Sequence, residues 1–387
     1  MNYRKLTLVM LSLFLVISLV AGCGSTPAAP AEPADEEEPP AEEPEVIKIG
    51  FVNHLTGDAA VYGTSMKKGA EVALAAINNM GGIDGKKIEV VFEDDRLNPT
   101  DAISAVRKLL EVDKVPVVIG SSSSTITLSI LPLVQEMGAI LMNSVSTAPS
   151  LREYPGTYFG LMPTDEAQGL EWVNFARDIE EMSAAVMYIN NDYGIGVKEA
   201  FAKEFAAAGG NLLIAEPHDV GKADFRTELL KVKAKDPKLV FIVSHVKEGS
   251  IVFKQARELG MEVQWVGDTA LESKEVIDLA GPAAEGLICL RVGSKQTQEY
   301  EQFAEAFRSL HNEEPTIWSD FAYDTMWLAA KAVAEAGTDP QAIRDYLWNV
   351  REYPGASGKK TFDEDGIAAG VYERYVVKNG EFVLWQP

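Results

Sequence analysis

Short apolar runs alternate with amphipathic segments from residue 46 onward. The runs have the lengths of strands, and the segments between them place apolar side chains three and four residues apart, as on one helix face. Gly81-Gly82 ends the first such segment, and Asn98-Pro99 opens the second. Strands are predicted at 46–52, 87–92, 115–119 and 139–142, and helices at 64–80, from 98 onward and at 124–137. Strands separated by helices predict a parallel, doubly wound sheet with helices on both faces.

The same pattern starts again at residue 184, which predicts a second sheet of the same kind. Its strands are predicted at 184–189, 212–215, 239–243, 263–266 and 287–290, and its helices at 195–208, 225–234 and 250–259. Three helices follow between residues 298 and 350, and residues 372–384 predict a strand hairpin that turns at Asn379-Gly380. The sequence therefore predicts an α/β protein with two doubly wound parallel-sheet lobes.

The first residues differ from the rest of the chain. Arg4 and Lys5 precede an apolar stretch from Leu6 to Val20 that is shorter than a membrane span requires, so residues 1–22 are predicted to be a signal peptide. The stretch ends in Leu19-Val20-Ala21-Gly22-Cys23, which resembles the bacterial lipobox and implies lipidation of Cys23. The alternative is an ordinary cleaved signal with a cysteine nearby.

The segment after the signal is low in complexity. Residues 24–45 consist almost wholly of Ser, Thr, Pro, Ala, Glu and Asp, a composition that cannot bury a core and that repels itself into an extended chain. Together with the lipidated cysteine, residues 23–45 are therefore predicted to be a disordered acidic tether. The folded body is expected outside the cytoplasm, lipid-anchored to the cell membrane, on the periplasmic side or at the cell surface.

The charge of the chain limits its partners. The sequence has 35 Lys and Arg against 58 Asp and Glu, a formal net charge of −23. Such a surface repels phosphate backbones, which excludes a nucleic-acid partner. It also repels small anions, so an anionic ligand needs a specific local set of donors.

Two hydroxyl-rich loops supply such donors in the first lobe. In open parallel sheets ligands bind beyond the carboxyl ends of the strands, and there the sequence has Gly120–Thr125 and Asn143–Pro149. Hydroxyls of Ser124, Thr125 and Thr147, together with a helix N-terminus, can hold a carboxylate without Lys or Arg. The alternative is that the serines only cap the helix.

Three further candidates follow strands of the second lobe. Tyr193 follows its first strand, His245 its third and Asp268 its fourth, so all three are expected to face one cleft. Asp268 is suited to bind an ammonium group, although an Asp after a strand is also a common helix cap.

Enzyme and cofactor motifs are missing from the sequence. It contains no complete dinucleotide fingerprint, no phosphate-loop lysine, no HExxH, no paired CxxC and no GxSxG elbow. Cys289 lies in an apolar run and, with Cys23 lipidated, has no disulfide partner, so it is predicted to be a buried hydrophobic side chain. We therefore expect no enzyme activity, no cofactor and no metal site.

A family resemblance runs through the whole body, residues 46–384. It is carried by Ile47–Phe51, Leu55–Asp58, Tyr62-Gly63, Gly81–Ile88, Glu93–Asp95, Asp165–Gly169, Asp192–Gly194, Gln255–Gly260, Ala322–Asp324 and Thr361–Gly366. In this order these segments closely resemble the leucine/isoleucine/valine-binding proteins of ABC importers and their lipoprotein relatives.

The resemblance implies a type I bilobal binding protein with three hinge crossovers that closes on its ligand. Residues 46–163 with 293–367 would form the N-terminal lobe, and residues 164–292 with 368–387 the C-terminal lobe. The ligand would be an amino acid, with a branched-chain amino acid as the first expectation. The partners would be the permease and ATPase subunits of an ABC importer, and the protein itself a monomer.

The resemblance also assigns roles within the site. Ser124 and Thr125 on one loop and Ser146 and Thr147 on the next would hold the ligand α-carboxylate. Asp268 would hold the ammonium, Tyr193 would close over the ligand, and Tyr62 would flank the side-chain pocket.

The sequence departs from the family pattern at a few positions. Relatives that bind aliphatic amino acids commonly have Glu at the position of Asp268, an aromatic residue near His245, and a small residue with proline at Asn53-His54. A binder of amides, urea or aromatic carboxylates therefore stays an alternative, as does a ligand-sensing subunit for a membrane receptor.

Overall fold

The structure is a computed structural model, and it describes residues 46–386. The predicted signal peptide, the tether with Cys23, and Pro387 lie outside the described residues. Twelve strands form the two sheets within this part of the chain. Five belong to the first sheet: β1 (Val46–Asn53), β2 (Lys87–Asp94), β3 (Val117–Gly120), β4 (Ile140–Asn143) and β5 (Tyr158–Gly160). Seven belong to the second: β6 (Ser183–Ile189), β7 (Asn211–His218), β8 (Leu239–Val243), β9 (Gln264–Gly267), β10 (Ile288–Val292), β11 (Tyr372–Lys378) and β12 (Glu381–Leu384).

The first sheet has the order β2-β1-β3-β4-β5, and every neighbouring pair in it is parallel. Its four longer strands were predicted from the apolar runs, but β5 was not. With only three residues, β5 is too short to give a period, although all three are buried.

The second sheet has the order β12-β11-β10-β9-β8-β6-β7. Strands β6 to β10 are parallel, as predicted, whereas β11 pairs antiparallel with both β10 and β12. The sheet is therefore mixed, with the predicted hairpin added at one edge. Asn379 and Gly380 have φ values of 53° and 79° at its turn, the pair of positive angles that a tight hairpin needs.

Helices cover both sheets. They are α1 (Ala60–Asn79), α2 (Pro99–Glu111), α3 (Ser124–Glu136), α4 (Asp165–Asp178), α5 (Asp192–Ala207), α6 (Arg226–Lys233), α7 (Val246–Glu258), α8 (Lys274–Ala280), α9 (Gln298–His311), α10 (Ser319–Ala336) and α11 (Pro340–Trp348). Helices α4 and α8 were not among the predicted helices. Asn98 caps α2 as its sequence suggests, because its side chain accepts hydrogen bonds from the backbone of Thr100 and Asp101.

The chain passes from the first sheet to the second after β5. It returns after β10, because α9–α11 pack against α1 and β4, and it passes to the second sheet again before β11. This connectivity gives two α/β lobes joined by three crossovers. The boundaries at residues 163, 292 and 367 stay predictions. Cys289 is fully buried in β10, as expected of a hydrophobic side chain. Among residues 46–386, no helix is both long and apolar enough to cross a membrane.

Candidate ligand-binding site

A cavity lies where the carboxyl ends of the strands from both sheets meet. We call the residues that come from the first lobe the first wall: His54, Ala59, Tyr62, Leu97, Ser122, Ser123, Ser124, Val145 and Trp318. The residues from the second lobe form the second wall: Asn191, Tyr193, His245, Thr269 and Ala270. None of these lining residues is Lys, Arg, Asp or Glu. A charged ligand in this cavity therefore depends on neutral donors, histidines and groups behind the walls.

The serines of the first wall stand on a sharp turn between β3 and α3. Gly120 ends β3 with a φ of 140°, and a Cβ there would lie 1.8 Å from the carbonyl oxygen of Val52, so only glycine fits. The side chain of Ser123 caps α3 at the backbone N–H of Ile126. The first turn of α3 begins at Ser124, which lines the cavity, so this wall combines hydroxyls with the positive end of a helix.

Ser122 is held by two side chains that follow β1. Its hydroxyl oxygen lies 2.8 Å from Oδ1 of Asn53 and 2.8 Å from Nε2 of His54, and its backbone N–H also donates to Asn53 Oδ1. The His54 backbone packs tightly against α1, because a Cβ on Gly63 would lie 2.1 Å from the His54 carbonyl oxygen. The hydroxyl of Ser122 is thus fixed at the cavity surface.

Asp95 lies behind His54. Its Oδ1 is 3.5 Å from Nδ1 of His54, and its Oδ2 accepts a hydrogen bond from Ser121 at 2.7 Å. Both Asp95 and His54 are buried, and Nδ1 of His54 has no hydrogen-bond partner among the described residues. The order serine, imidazole, carboxylate resembles a hydrolytic triad, but the outer contact is too long for the hydrogen bond that would orient the ring.

The four residues predicted for the carboxylate site occupy different places. Ser124 lines the cavity, and its hydroxyl oxygen accepts from the backbone of Thr147 at 3.2 Å. Thr125 points across the cleft and donates to Asp192 Oδ2 at 2.6 Å. The hydroxyl of Ser146 donates to the carbonyl oxygen of Ser121 at 2.8 Å. The structure thus brings Ser124 to the cavity and leaves Thr125, Ser146 and Thr147 out of its lining, so their role as carboxylate ligands stays a prediction.

In the second wall, Tyr193 lies in front of Asp268. The Tyr193 hydroxyl donates to Asp268 Oδ2 at 3.0 Å, and the backbone N–H groups of Ser244 and Leu271 also donate to this carboxylate. These donors are neutral and the carboxylate is fully buried, so burial raises the pKa of Asp268 to about 7. Asp268 caps a short helical turn, as the alternative predicted, and does not itself line the cavity.

Tyr62 and His245 bring the two walls into contact. The Tyr62 hydroxyl accepts a hydrogen bond from the backbone N–H of Val246 at 2.7 Å, and its ring lies 5.8 Å from that of His245. Trp318 stacks on the other side of Tyr62 at 5.0 Å. Burial lowers the pKa of His245 to about 4, so this ring is neutral at neutral pH. The side-chain end of the cavity is therefore aromatic and uncharged.

Sequence reasoning missed several lining residues. Ser122 and Ser123 belong to the hydroxyl-rich loop that was predicted from the sequence. The geometry of the helix cap decides which serine of that loop faces the cavity. Asn191 likewise belongs to a loop that was identified from the sequence. His54 was noticed only as a departure from the family pattern. Trp318 had no sequence signal, since it lies in an irregular segment before α10 and far along the chain.

This arrangement of two lobes around one cleft is matched by comparison with known proteins. The family model described as periplasmic binding protein matches residues 46–381. The chain belongs to this family. The family is extracytoplasmic, and its members among the relatives below are solute-binding proteins, not enzymes, as predicted for this chain.

Two relatives resemble the chain over most of its length. The leucine-, isoleucine-, valine-, threonine- and alanine-binding protein of Pseudomonas aeruginosa is 26% identical over 347 residues, 88% of this chain and 90% of that protein. The branched-chain amino acid transporter substrate-binding protein LivJ of Streptococcus pneumoniae, solved with isoleucine, is 27% identical with a TM-score of 0.83. That match covers 89% of this chain and all of the solved chain.

A more distant structure shares the fold alone. The solute-binding protein of an ABC transporter from R. palustris, solved with benzoate, has a TM-score of 0.81 at 18% identity, over 88% of this chain and 95% of that one. The fold of this chain is that of the type I periplasmic binding proteins, as predicted. The predicted resemblance to the leucine/isoleucine/valine-binding proteins of ABC importers is confirmed by these relatives.

Proposed function

We propose that the protein captures an α-amino acid, first of all a branched-chain one, in the cavity between its lobes and delivers it to the permease of an ABC importer. One observation carries the proposal. Neutral donors and a helix N-terminus stand at the first wall, and the buried carboxylate of Asp268, without a cationic partner in its hydrogen bonds, lies behind the second. A zwitterion matches both ends, and the aromatic ring of Tyr62 lines the same cavity.

The division of the site between lobes supplies the mechanism. Neither wall alone satisfies both charges of an amino acid, so the ligand binds the closed form more tightly and shifts the open and closed populations toward it. The Thr125–Asp192 and Tyr62–Val246 hydrogen bonds join the lobes in this closed form. The permease would recognise the closed shape.

Calorimetry tests this function. The chain beginning after Cys23 is unfolded and refolded to remove carried ligand, then titrated with each of the twenty amino acids. Saturable binding of leucine, isoleucine or valine is expected, with a dissociation constant near the micromolar range, about −8 kcal/mol. Failure of every amino acid to bind would contradict the proposal.

A ligand without an ammonium group is the second candidate. Asp268 accepts hydrogen bonds from protein donors and does not line the cavity, and an aromatic carboxylate, an amide or urea would leave those hydrogen bonds intact. The same titration with benzoate, acetamide and urea separates these classes. A sensor would bind the same ligands but signal through a receptor, which pull-down of the closed form with its membrane partner distinguishes from an importer.

Lipid anchoring belongs to the proposal as well. Cys23 follows a signal-like stretch and precedes a tether-like segment, so we expect it to carry the lipid that holds the protein at the membrane. Cys23→Ala should release the protein from the membrane fraction of cells. Retention of this variant at the membrane would contradict lipidation at Cys23.

A further inference from the structure

The carboxylate end of the cavity has no permanent positive charge. The lining contains no Lys or Arg, and the chain as a whole is strongly acidic. A carboxylate that leaves water loses its hydration, and a buried charge is stable only when it is paired and hydrogen-bonded. The helix N-terminus of α3 supplies a partial charge there. The two histidines of the lining are the remaining groups that can become cationic.

The geometry separates the two histidines. Burial keeps His245 neutral, and its ring packs against Tyr62 at the side-chain end of the cavity. His54 contacts Ser122 through Nε2 at 2.8 Å and faces the Asp95 carboxylate through Nδ1 at 3.5 Å. Of the two, only His54 lies between a ligand-facing hydroxyl and a buried carboxylate.

A neutral imidazole depends on the proton of Ser122 at this position. With its own proton on Nδ1, the ring accepts the Ser122 proton at Nε2, while Asn53 Oδ1 accepts the backbone N–H groups of His54 and Ser122. A ligand carboxylate that accepts the Ser122 proton leaves Nε2 of the neutral ring without a donor. The imidazolium carries a proton on each nitrogen, so it then donates to the Ser122 oxygen and points a donor at Asp95.

We propose that His54 is the counter-ion of the ligand carboxylate, and that ligand capture takes up a proton onto His54. The inference rests on the proposed function only in that the ligand carries a carboxylate. The proton comes from the buffer when the ligand binds and returns to it on release. Ser122 links the ligand to His54. A ligand carboxylate that accepts the Ser122 proton is separated from the charged imidazole ring by this one hydroxyl group.

Other titratable groups near His54 affect the size of this coupling. Asp95 faces Nδ1 of the ring, Asp94 accepts the backbone N–H of the adjacent Leu55, His245 repels a charged His54 when it is itself charged, and the Tyr62 ring lies 6.4 Å away. Asp268, behind the second wall, has the opposite linkage. Its pKa of about 7 means that a ligand ammonium expels a proton from it below that pH. At pH 8 Asp268 is already largely ionised, so proton uptake there reports on His54.

The test counts protons by calorimetry at pH 8 in buffers of different ionisation enthalpy. Leucine, its oxo acid 4-methyl-2-oxopentanoate and leucinol, which lacks the carboxylate, are titrated into the chain beginning after Cys23. We expect uptake of about half to one proton with leucine and with the oxo acid, and none with leucinol, because imidazoles are mostly neutral at this pH in the absence of a charge partner.

His54→Gln is the diagnostic variant, since Gln keeps a donor and an acceptor beside Ser122. Proton uptake should vanish in it and leucine affinity should fall by about tenfold. His311→Gln, which removes a histidine outside the cavity lining, should leave both unchanged. Thermal unfolding of each variant shows whether it is folded.

The outcomes separate the two proposals. Leucine binding without proton uptake, or uptake that persists in His54→Gln, overturns the role of His54 and leaves the amino-acid function intact. Proton-linked binding of the oxo acid but not of leucine overturns the amino-acid function and supports His54. A His54→Gln protein that is folded, binds normally and still takes up a proton rejects the inference completely.

Discussion

The first wall of the cavity presents its polar groups directly to the ligand, whereas the second wall keeps its one carboxylate behind a tyrosine. Ser122 and Ser124 line the cavity with hydroxyls that the surrounding loop already holds in place. Asp268 is reached only past Tyr193, whose hydroxyl occupies one of its oxygens. Under the proposed function, the carboxylate end of the site is preformed, and the ammonium end requires an exchange of hydrogen bonds.

This difference has an energetic meaning. A preformed set of neutral donors binds any carboxylate at small cost in ordering. A buried carboxylate with a raised pKa costs free energy when it is ionised and unpaired, and it regains that free energy only from a cation. Under the proposed function, we therefore expect the first wall to favour carboxylates in general and the second wall to select those that also carry an ammonium group.

Removal of the selecting group should have the largest effect. Asp268→Ala is expected to weaken leucine binding by at least about 2 kcal/mol, roughly 30-fold, because the ammonium loses its buried partner. Calorimetry measures the change. Asp278→Ala, at an exposed position on α8, is the control and should bind leucine normally. An unchanged dissociation constant in Asp268→Ala would remove this residue from the site.

The same residue should make stability depend on pH. Because its pKa in the folded, ligand-free protein is about 7, above the ordinary value for Asp, the folded state binds more protons between about pH 4 and pH 7. The Asp268 contribution should therefore fall as pH rises through that window, by up to about 1.4 kcal/mol per pH unit. Urea unfolding of the wild type and Asp268→Asn isolates it as their difference. Parallel pH curves would show that Asp268 has an ordinary pKa.

One serine of the first wall and one serine outside the lining sharpen the comparison further. Ser122→Ala should weaken leucine binding by about 1 kcal/mol, since it removes one cavity-facing donor. Ser146→Ala should instead leave binding unchanged and lower the free energy of unfolding by about 1 kcal/mol, because its hydroxyl bonds inside the loop. Equal losses of affinity in both variants would mean that the preformed wall acts as one unit.

The smallest effect is expected where the two lobes meet outside the cavity. Thr125→Val removes the hydrogen bond to Asp192, which joins the lobes in the closed form. Affinity should fall by about 0.5 kcal/mol, and by the same factor for leucine, isoleucine and valine, because no ligand contact changes. A loss confined to one of these ligands would indicate that Thr125 contacts the ligand directly.

The sequence predicted the fold well because periodicity and length carry the necessary information. Apolar runs such as Leu239–Val243 are long enough to be recognised and are wholly buried, as strands of a covered parallel sheet should be. Strand β5 was not predicted because its three residues are too few to show a periodic pattern. The edge hairpin was recognised from Asn379-Gly380, whose positive φ values are a property of those residue types.

The site was harder to predict, since it depends on which side chain of a loop points inward. A run of four serines gives no preference among its members, and the turn at Gly120 with the cap at Ser123 decides it. The relation between Tyr193 and Asp268 was also invisible, because the two residues lie 75 positions apart in the chain. The residue types indicated which chemical groups would be in the cleft. Only the tertiary structure shows which of these residues line the cavity and which lie behind the lining.

The stacked pair of Tyr62 and Trp318 has a practical consequence. The indole is in the cavity lining, and the tyrosine against it is bonded through its hydroxyl to the backbone of the opposite lobe. In the proposed mechanism, opening of the cleft would break that bond and expose the indole to water. We therefore expect the emission of Trp318 to change with occupancy, and a Trp318→Phe variant separates it from that of the other five tryptophans.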